Sequence, residues 1–328
     1  MQVTAIVPHW NRSDLLARLL ASLQLQTRAF DRIIVADNGS TDDSPRVAEQ
    51  AGVQFLPLGK NLGFAAAVNQ ALRATQTEWV AILNNDVTLA PDWVEEMLRG
   101  AAEKQAWFAA GKILSASDPT LLDGAFDEIS RAACAYRCGA GKPDSPAWNR
   151  TRAIRFAPMT AALFRRSLFD EVGLLDEDFG SYMEDVDFGL RCALAGRSGV
   201  YIPTAVARHE GSATLGKWNK DTVRLLSRNQ VLLARKHLHG QPKWPILAGQ
   251  LLWGLVALRH CRWCAFVQGK TAGLRRRQVL NDHPQHDHPH LGETVRDVLL
   301  ASERDILELQ RETGFDAYWR TYFWLVRQ

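Results

Sequence analysis

Three apolar runs in the first ninety residues each end in a polar cluster. That pattern limits the possible folds more than any other feature of the chain. "VTAIVPHWNR" ends in His9-Trp10-Asn11-Arg12, "RIIVADNGS" in Asp37-Asn38-Gly39-Ser40, and "WVAILNNDV" in Asn84-Asn85-Asp86. The runs are short and β-branched, so each reads as a strand. Helical stretches lie between them. In "SDLLARLLASLQLQ" the leucines recur at helical spacing and Ser13 can cap. "SPRVAEQAG" is a helix stopped by Gly52, and "GFAAAVNQALRAT" is a helix of small residues. This alternation predicts an α/β fold with a mostly parallel sheet and right-handed crossovers. Ligands of such sheets bind beyond the carboxyl ends of the strands, so the three polar tips would converge on one site.

The rest of the chain changes character twice. Residues 115–155 are loop-rich. "FAPMTAALFRRSLFDEVG" reads as a strand and a short helix. Glu184, Asp185 and Asp187 then precede a helix carrying Leu190, Arg191 and Leu194. Acidic residues suit a helix N-terminus. Three carboxylates within four residues also repel, so some need a cation, a donor or a shifted pKa. Arg191 is spaced to pair with Asp187 across one helical turn. "VYIPTAVARHEGSAT" is a strand leading to His209. Residues 1–216 hold 21 Lys and Arg against 26 Asp and Glu, whereas 217–277 hold 13 basic residues and one acid, Asp221. This asymmetry points to an anionic partner surface. Trp218, Trp244, Trp253 and Trp263 lie in the basic segment, which is either packed helix or a helix on a membrane surface. A link bearing His283, His286, His288 and His290 precedes a final helix near 293–313.

Composition excludes several classes. At 46% hydrophobic and 23% charged, the 328 residues suit a globular protein with a sizeable core. The N-terminus lacks the basic and long apolar parts of a signal peptide. The longest apolar stretch, residues 246–258, is short for a membrane span and contains Gln250. The expectation is a cytoplasmic chain, peripheral at the inner face of the cell membrane. The five cysteines then read as reduced thiols. Cys134 with Cys138 and Cys261 with Cys264 would make a zinc site only if the pairs met, which spacing does not establish. No G-x-G-x-x-G follows the first strand, against a dinucleotide oxidoreductase. The acidic body argues against a nucleic-acid partner.

Taken in order, IVPHWNR, ADNGSTDDS, NLGFAAAVN, LNNDV, YMEDVDFGLR and ARHEGSA resemble family-2 inverting nucleotide-sugar glycosyltransferases. The likeness is greatest to bacterial rhamnosyltransferases and galactofuranosyltransferases of cell-surface polysaccharide synthesis. It covers residues 1–215 and implies a GT-A domain there, with a mainly helical basic region over 216–328. The resemblance implies a nucleotide pocket lined by Pro8, His9, Asn11 and Arg12. Asp37 would meet the base, with Asn38 and Ser40 shaping its loop. Asn61, Gly63 and Asn69 would lie near the diphosphate and ribose. Asn84-Asn85-Asp86 replaces the family's Asp-x-Asp. Asp86 and His209 would hold Mg²⁺ or Mn²⁺, and Asp185 would be the base, supported by Glu184, Asp187 or Arg191. The alanines after Gly63, where relatives often have glycine, suggest a stiffer loop farther from the phosphates.

The chemistry is consistent with these roles. A divalent cation stabilises a leaving diphosphate. Inversion needs a base on the opposite face of the sugar. The expected partners are a nucleotide-sugar donor, best guess dTDP-L-rhamnose, and a glycan or lipid-linked acceptor. Asn84 leaves one alternative open: a silent GT-A scaffold that binds nucleotide or glycan as an assembly partner.

Overall fold

The computed structural model describes residues 1–211, 218–276 and 294–326. The four histidines of the 281–293 link and the 215/216 boundary lie outside the described residues. The first half runs β1 (Val3–His9), α1 (Ser13–Gln24), β2 (Arg32–Asp37), α2 (Ser44–Gln50), β3 (Gln54–Pro57), α3 (Phe64–Arg73), β4 (Trp79–Leu83), β5 (Val87–Leu89), α4 (Trp93–Glu103) and β6 (Phe108–Ser115). Five short strands follow: β7 (Leu122–Gly124), β8 (Asp127–Ile129), β9 (Ala135–Arg137), β10 (Arg152–Ile154) and β11 (Ala161–Arg165). Next come α5 (Arg166–Glu171), α6 (Glu184–Leu194) and β12 (Gly199–His209). The rest is helical: α7 (Lys220–His237), α8 (Lys243–Arg259), α9 (Trp263–Arg275), α10 (Val295–Thr313) and α11 (Ala317–Val326).

The main sheet has the order β10-β12-β6-β11-β4-β1-β2-β3. β4, β1, β2 and β3 pair in parallel, as the alternation predicts. β11 lies between β4 and β6, antiparallel to both. Its run is buried on both faces, so composition alone could not reveal its direction. Core side chains alternate across the sheet. Val3, Ala5 and Val7 of β1 join one cluster with Leu16, Leu19 and Leu20 of α1. Ile6 joins the other with Val68 and Leu72 of α3.

Two local expectations change. Ser13 does not cap α1. Arg12 takes that position in a left-handed conformation, and the Ser13 N–H donates to Asp42 Oδ2 at 2.8 Å. The alanines after Gly63 form no loop: Ala65, Ala66 and Ala67 are buried in α3, where small side chains let the helix approach the sheet. The C-terminal helices share the core of the first part, since Ile306, Leu309, Tyr322 and Phe323 belong to the same cluster as Ile6 and Ile34.

Candidate active site

Strand ends come together as the sequence predicts. A cavity of about 900 Å³ opens beyond β1 and β4, and Pro8, His9, Asn38, Asn61, Gly63, Asn84, Asn85 and Asp86 line one side of it. Glu184, Asp185 and His209 line it as well. Hydrogen bonds set the wall. Asn85 Nδ2 donates to His9 Nδ1 at 2.9 Å, which leaves the His9 Nε2 proton for Ser44 Oγ at 2.7 Å. Burial lowers the His9 pKa, so the ring is a neutral link between the two strand tips. Asn38 donates to Gly63 O at 3.3 Å and accepts the Leu62 N–H at 3.1 Å. Gly63 has φ +91°, and a Cβ there would lie 3.0 Å from Gly180 O, so only glycine fits.

Other predicted residues stand behind the lining. Asp37 accepts the Gly39 and Ser40 N–H groups at 3.1 and 2.9 Å and the Ser40 hydroxyl. Its acceptors are thus engaged in closing its own loop. Asn11 and Ser40 lace the first two tips together, through Asn11 N to Ser40 Oγ at 2.8 Å and Thr41 N to Asn11 Oδ1 at 2.9 Å. Arg12 forms an exposed pair with Asp14 at 2.9 Å. Asn69 is buried and ties α3 to the next wall, donating to Leu175 O and accepting from Leu175 N.

The three acids of α6 separate into two environments. Asp187 is fully buried and meets His237 Nε2 at 2.7 Å, Lys236 Nζ at 2.9 Å and Arg191 Nε at 3.1 Å. Burial opposes its charge, but Arg191, the hydrogen bond to His237 and Lys236 outweigh it and hold the carboxyl well below its usual range. Arg191 also donates to the carbonyls of Val172, Gly173 and Leu174. Both residues brace the helix and neither lines the cavity. Glu184 and Asp185 do. Burial raises the Asp185 pKa, while Arg137 and the N–H groups of Val186 and Met159 pull it down. Repulsion acts chiefly on the other partner. Burial, and then Asp185, push Glu184 well above the usual range, and its buried Oε2 has no hydrogen-bond partner among the described residues. Glu184 therefore holds a proton more readily than Asp185. The turn before them is strained, with Tyr182 and Met183 at φ +71° and +69°. Asn229 of α7 secures it by donating to the carbonyls of Phe179, Ser181 and Tyr182.

A third group was not read from the sequence. Asp123, Asp127 and Arg137 line the cavity from β7 and the β8–β9 hairpin. Arg137 Nε donates to Asp127 Oδ1 at 2.7 Å. Burial, tempered by Arg137 and reinforced by repulsion from Asp185, pushes Asp127 up to about 6. The available signal was Asp123, Asp127 and Glu128 concentrated in a loop-rich segment beside Gly124.

His209 links this group to Asp86. Its Nε2 lies 3.1 Å from Asp86 Oδ1 and its Nδ1 2.9 Å from Asp123 Oδ2. Burial disfavours the charged ring, but the two carboxylates outweigh it and lift the pKa to about 9. Among the described residues, no three His, Cys, Asp or Glu side chains come together as a metal centre. Asp86 and His209 still offer one oxygen and one nitrogen side by side. Mg²⁺ and Mn²⁺ accept such a sparse set when substrate phosphates and water fill the other positions. Asp123 would orient the ring from behind. The residues fit a divalent cation on those terms. Cys134 and Cys138 are buried, Cys261 and Cys264 are exposed, and all are free thiols.

Comparison with known proteins agrees with the cavity. The fold is GT-A, a mostly parallel sheet flanked by helices. The chain matches the structure of GalNAc-T7 with UDP, GalNAc and Mn²⁺ at TM-score 0.61 and 12% identity, over 77% of this chain and 51% of that one. It matches the mannosyltransferase PcManGT from Pyrobaculum calidifontis, in complex with GDP-Man and Mn²⁺, at TM-score 0.55 and 17% identity, over 98% of this chain and 85% of that one. It is 32% identical over 226 residues to the N-acetylglucosaminyl-diphospho-decaprenol L-rhamnosyltransferase of Mycobacterium tuberculosis, covering 62% of this chain and 74% of that protein. The model of the family described as glycosyl transferase family 2 matches residues 4–173, and the chain belongs to that family.

Proposed function

We propose that the chain is an inverting, metal-dependent glycosyltransferase that moves L-rhamnose from dTDP-rhamnose to a lipid-linked or cell-surface polysaccharide acceptor at a membrane surface. The observation that carries this reading is one cavity lined by two kinds of group. Amide-bearing strand tips and the Asp86–His209 pair line it together with Glu184, Asp185 and Arg137. The rhamnosyl donor and lipid-linked acceptor come from the likeness to the mycobacterial L-rhamnosyltransferase.

Pro8, Asn38, Asn61, Gly63, Asn84 and Asn85 hold the nucleotide diphosphate. Asp86 and His209 would hold Mg²⁺ or Mn²⁺, which when bound supplies positive charge to the leaving diphosphate. Asp185 accepts the proton of the acceptor hydroxyl as that oxygen attacks C1. Glu184, protonated beside it, leaves Asp185 free to ionise. The 1–215 domain carries this machinery, and Asp221, Leu225 and Leu226 of α7 add to the lining from the C-terminal region.

The test is donor turnover. Purified protein is incubated with dTDP-rhamnose, UDP-galactofuranose, UDP-galactose, UDP-glucose and UDP-GlcNAc, with and without Mn²⁺, and released nucleotide diphosphate is measured. Metal-dependent turnover of dTDP-rhamnose, abolished in Asp86→Ala, is the expected result. Binding of no donor under any metal condition would overturn the reading in favour of the silent scaffold, the alternative that Asn84 leaves open.

A further inference from the structure

Helices α8 and α9 carry an apolar face that nothing among the described residues covers. On α8, Trp244, Leu247, Leu251, Leu255 and Leu258 recur every three or four residues, and each is more than half exposed. That spacing makes one continuous stripe. The other side of α8 is fixed in place, with Pro245, Ala248, Gly249 and Ala257 buried. α9 adds exposed Trp263, Val267 and Leu274. α11 adds Trp324, 75% exposed, next to Leu325, whose carbonyl accepts the Trp244 indole N–H at 3.1 Å. Scattered surface leucines need no explanation, but a stripe this long does.

Charge identifies what covers it. No Asp or Glu occurs from Thr222 to Arg276. Lys243, Arg259 and Arg275 are exposed at the ends of the two helices. No helix among the described residues is long and apolar enough to cross a membrane. We propose that the α8–α9 face docks on an anionic lipid surface, with the leucine stripe at the headgroup–acyl boundary and Lys243, Arg259 and Arg275 against the headgroups. Trp244 and Trp263, each within the first two residues of its helix, suit the interfacial level. A second copy of the chain is a poorer occupant, because a two-fold contact would set this basic rim against itself.

The face is coupled to the cavity by close packing. α9 runs parallel to α7, and Gly269 and Gly273 make the contact possible. A Cβ at Gly269 would lie 2.3 Å from Arg224 O, and one at Gly273 2.8 Å from Arg228 O. Asp221, Leu225 and Leu226 of α7 line the cavity. Trp218, three residues before Asp221, stacks on His260 at the end of α8 with ring centroids 3.7 Å apart. The docked surface therefore lies one helix away from the lining of the cavity. The inference deepens the lipid-linked acceptor reading and rests on it for its purpose, but docking is measured without catalysis.

The experiment is co-sedimentation of the full chain with phosphatidylcholine vesicles, with and without phosphatidylglycerol. Light scattering and donor hydrolysis are measured in parallel. The expected result is binding to the anionic vesicles that weakens with salt. Leu251→Glu with Leu255→Glu should reduce binding about tenfold or more. Both side chains are exposed, so the double variant should keep wild-type urea unfolding and donor hydrolysis. Three results would overturn the proposal: no binding to anionic vesicles, binding unchanged in the double variant, or a wild-type dimer that the double variant converts to monomer. Vesicle binding without turnover of any donor would support the docking face and count only against the transferase reading.

Discussion

The strand tips give the cavity the amides of Asn38, Asn61, Asn84 and Asn85 with the carboxylate of Asp86, whereas β7, the β8–β9 hairpin and α6 give it the carboxyl groups of Asp123, Asp127, Glu184 and Asp185 with the guanidinium of Arg137. Amides bind polar groups without titrating. Crowded carboxylates do titrate, and burial moves Asp127 and Asp185 upward while Arg137 restrains both. The contrast suits a donor that must be held and an acceptor that must lose a proton. It also explains why α6 carries three acids. Two line the cavity, and the third is neutralised by Arg191 and Lys236 and hydrogen-bonded to His237.

Four variants test this division, the largest effect first. Asp185→Asn should lower kcat by about 10²- to 10⁴-fold while leaving donor affinity intact. Turnover of dTDP-rhamnose and calorimetric donor binding check it, and loss of both together would mean that the walls do not act separately. Asp187→Asn should instead cost about 3–5 kcal/mol of stability, because it strands the charges of Arg191 and Lys236 beside an uncharged partner. Urea unfolding measures this. The pH dependence has a definite sign. The Asp187 pKa is depressed in the fold, so its contribution is present above the ordinary carboxylate range and lost as pH falls below it. The variant should lack that acid-side loss.

Arg137→Met comes third and addresses the acid wall as a unit. Arg137 lowers both Asp127 and Asp185, so its removal lets both rise further. The base is then protonated over more of the acidic range. The acidic limb of kcat/KM should move to higher pH, with activity recovering as pH increases; an unmoved limb would show that Arg137 does not act through Asp185. The smallest effect is expected from Asn84→Asp, which adds the missing carboxylate to the amide wall. Metal-dependent donor binding should tighten within about tenfold. Weaker binding would place Asn84 against the diphosphate itself.

Much of the strand-tip wall was legible because its signals are local. A β-branched run, a polar tip and a helical period specify β1, β2 and β4 from neighbouring residues, and parallel pairing brings their ends to one edge. Asp37, Asn11 and Ser40 were legible as a cluster but not in their use, since an Asx-turn and a ligand contact have the same sequence. The acid-bearing lining was hardly legible. Arg137 reaches the site because β8 and β9 pair and lie against α6, and Asp123 because β7 adds to the edge of β6. Nothing near either residue announces those contacts.

The sequence alone therefore determined the α/β alternation, the strand-tip cluster and the set of acids from which a base is drawn, since all three depend on local periodicity and residue chemistry. Tertiary structure decided which acids of α6 face the cavity, the direction of β11, the placement of Asp123, Asp127 and Arg137 in its lining, and which tryptophans are covered. Trp253 packs against Trp218, whereas Trp244 and Trp263 stand exposed. Those outcomes depend on burial and on charges supplied by segments far apart in the chain, and only the packed molecule brings such segments together.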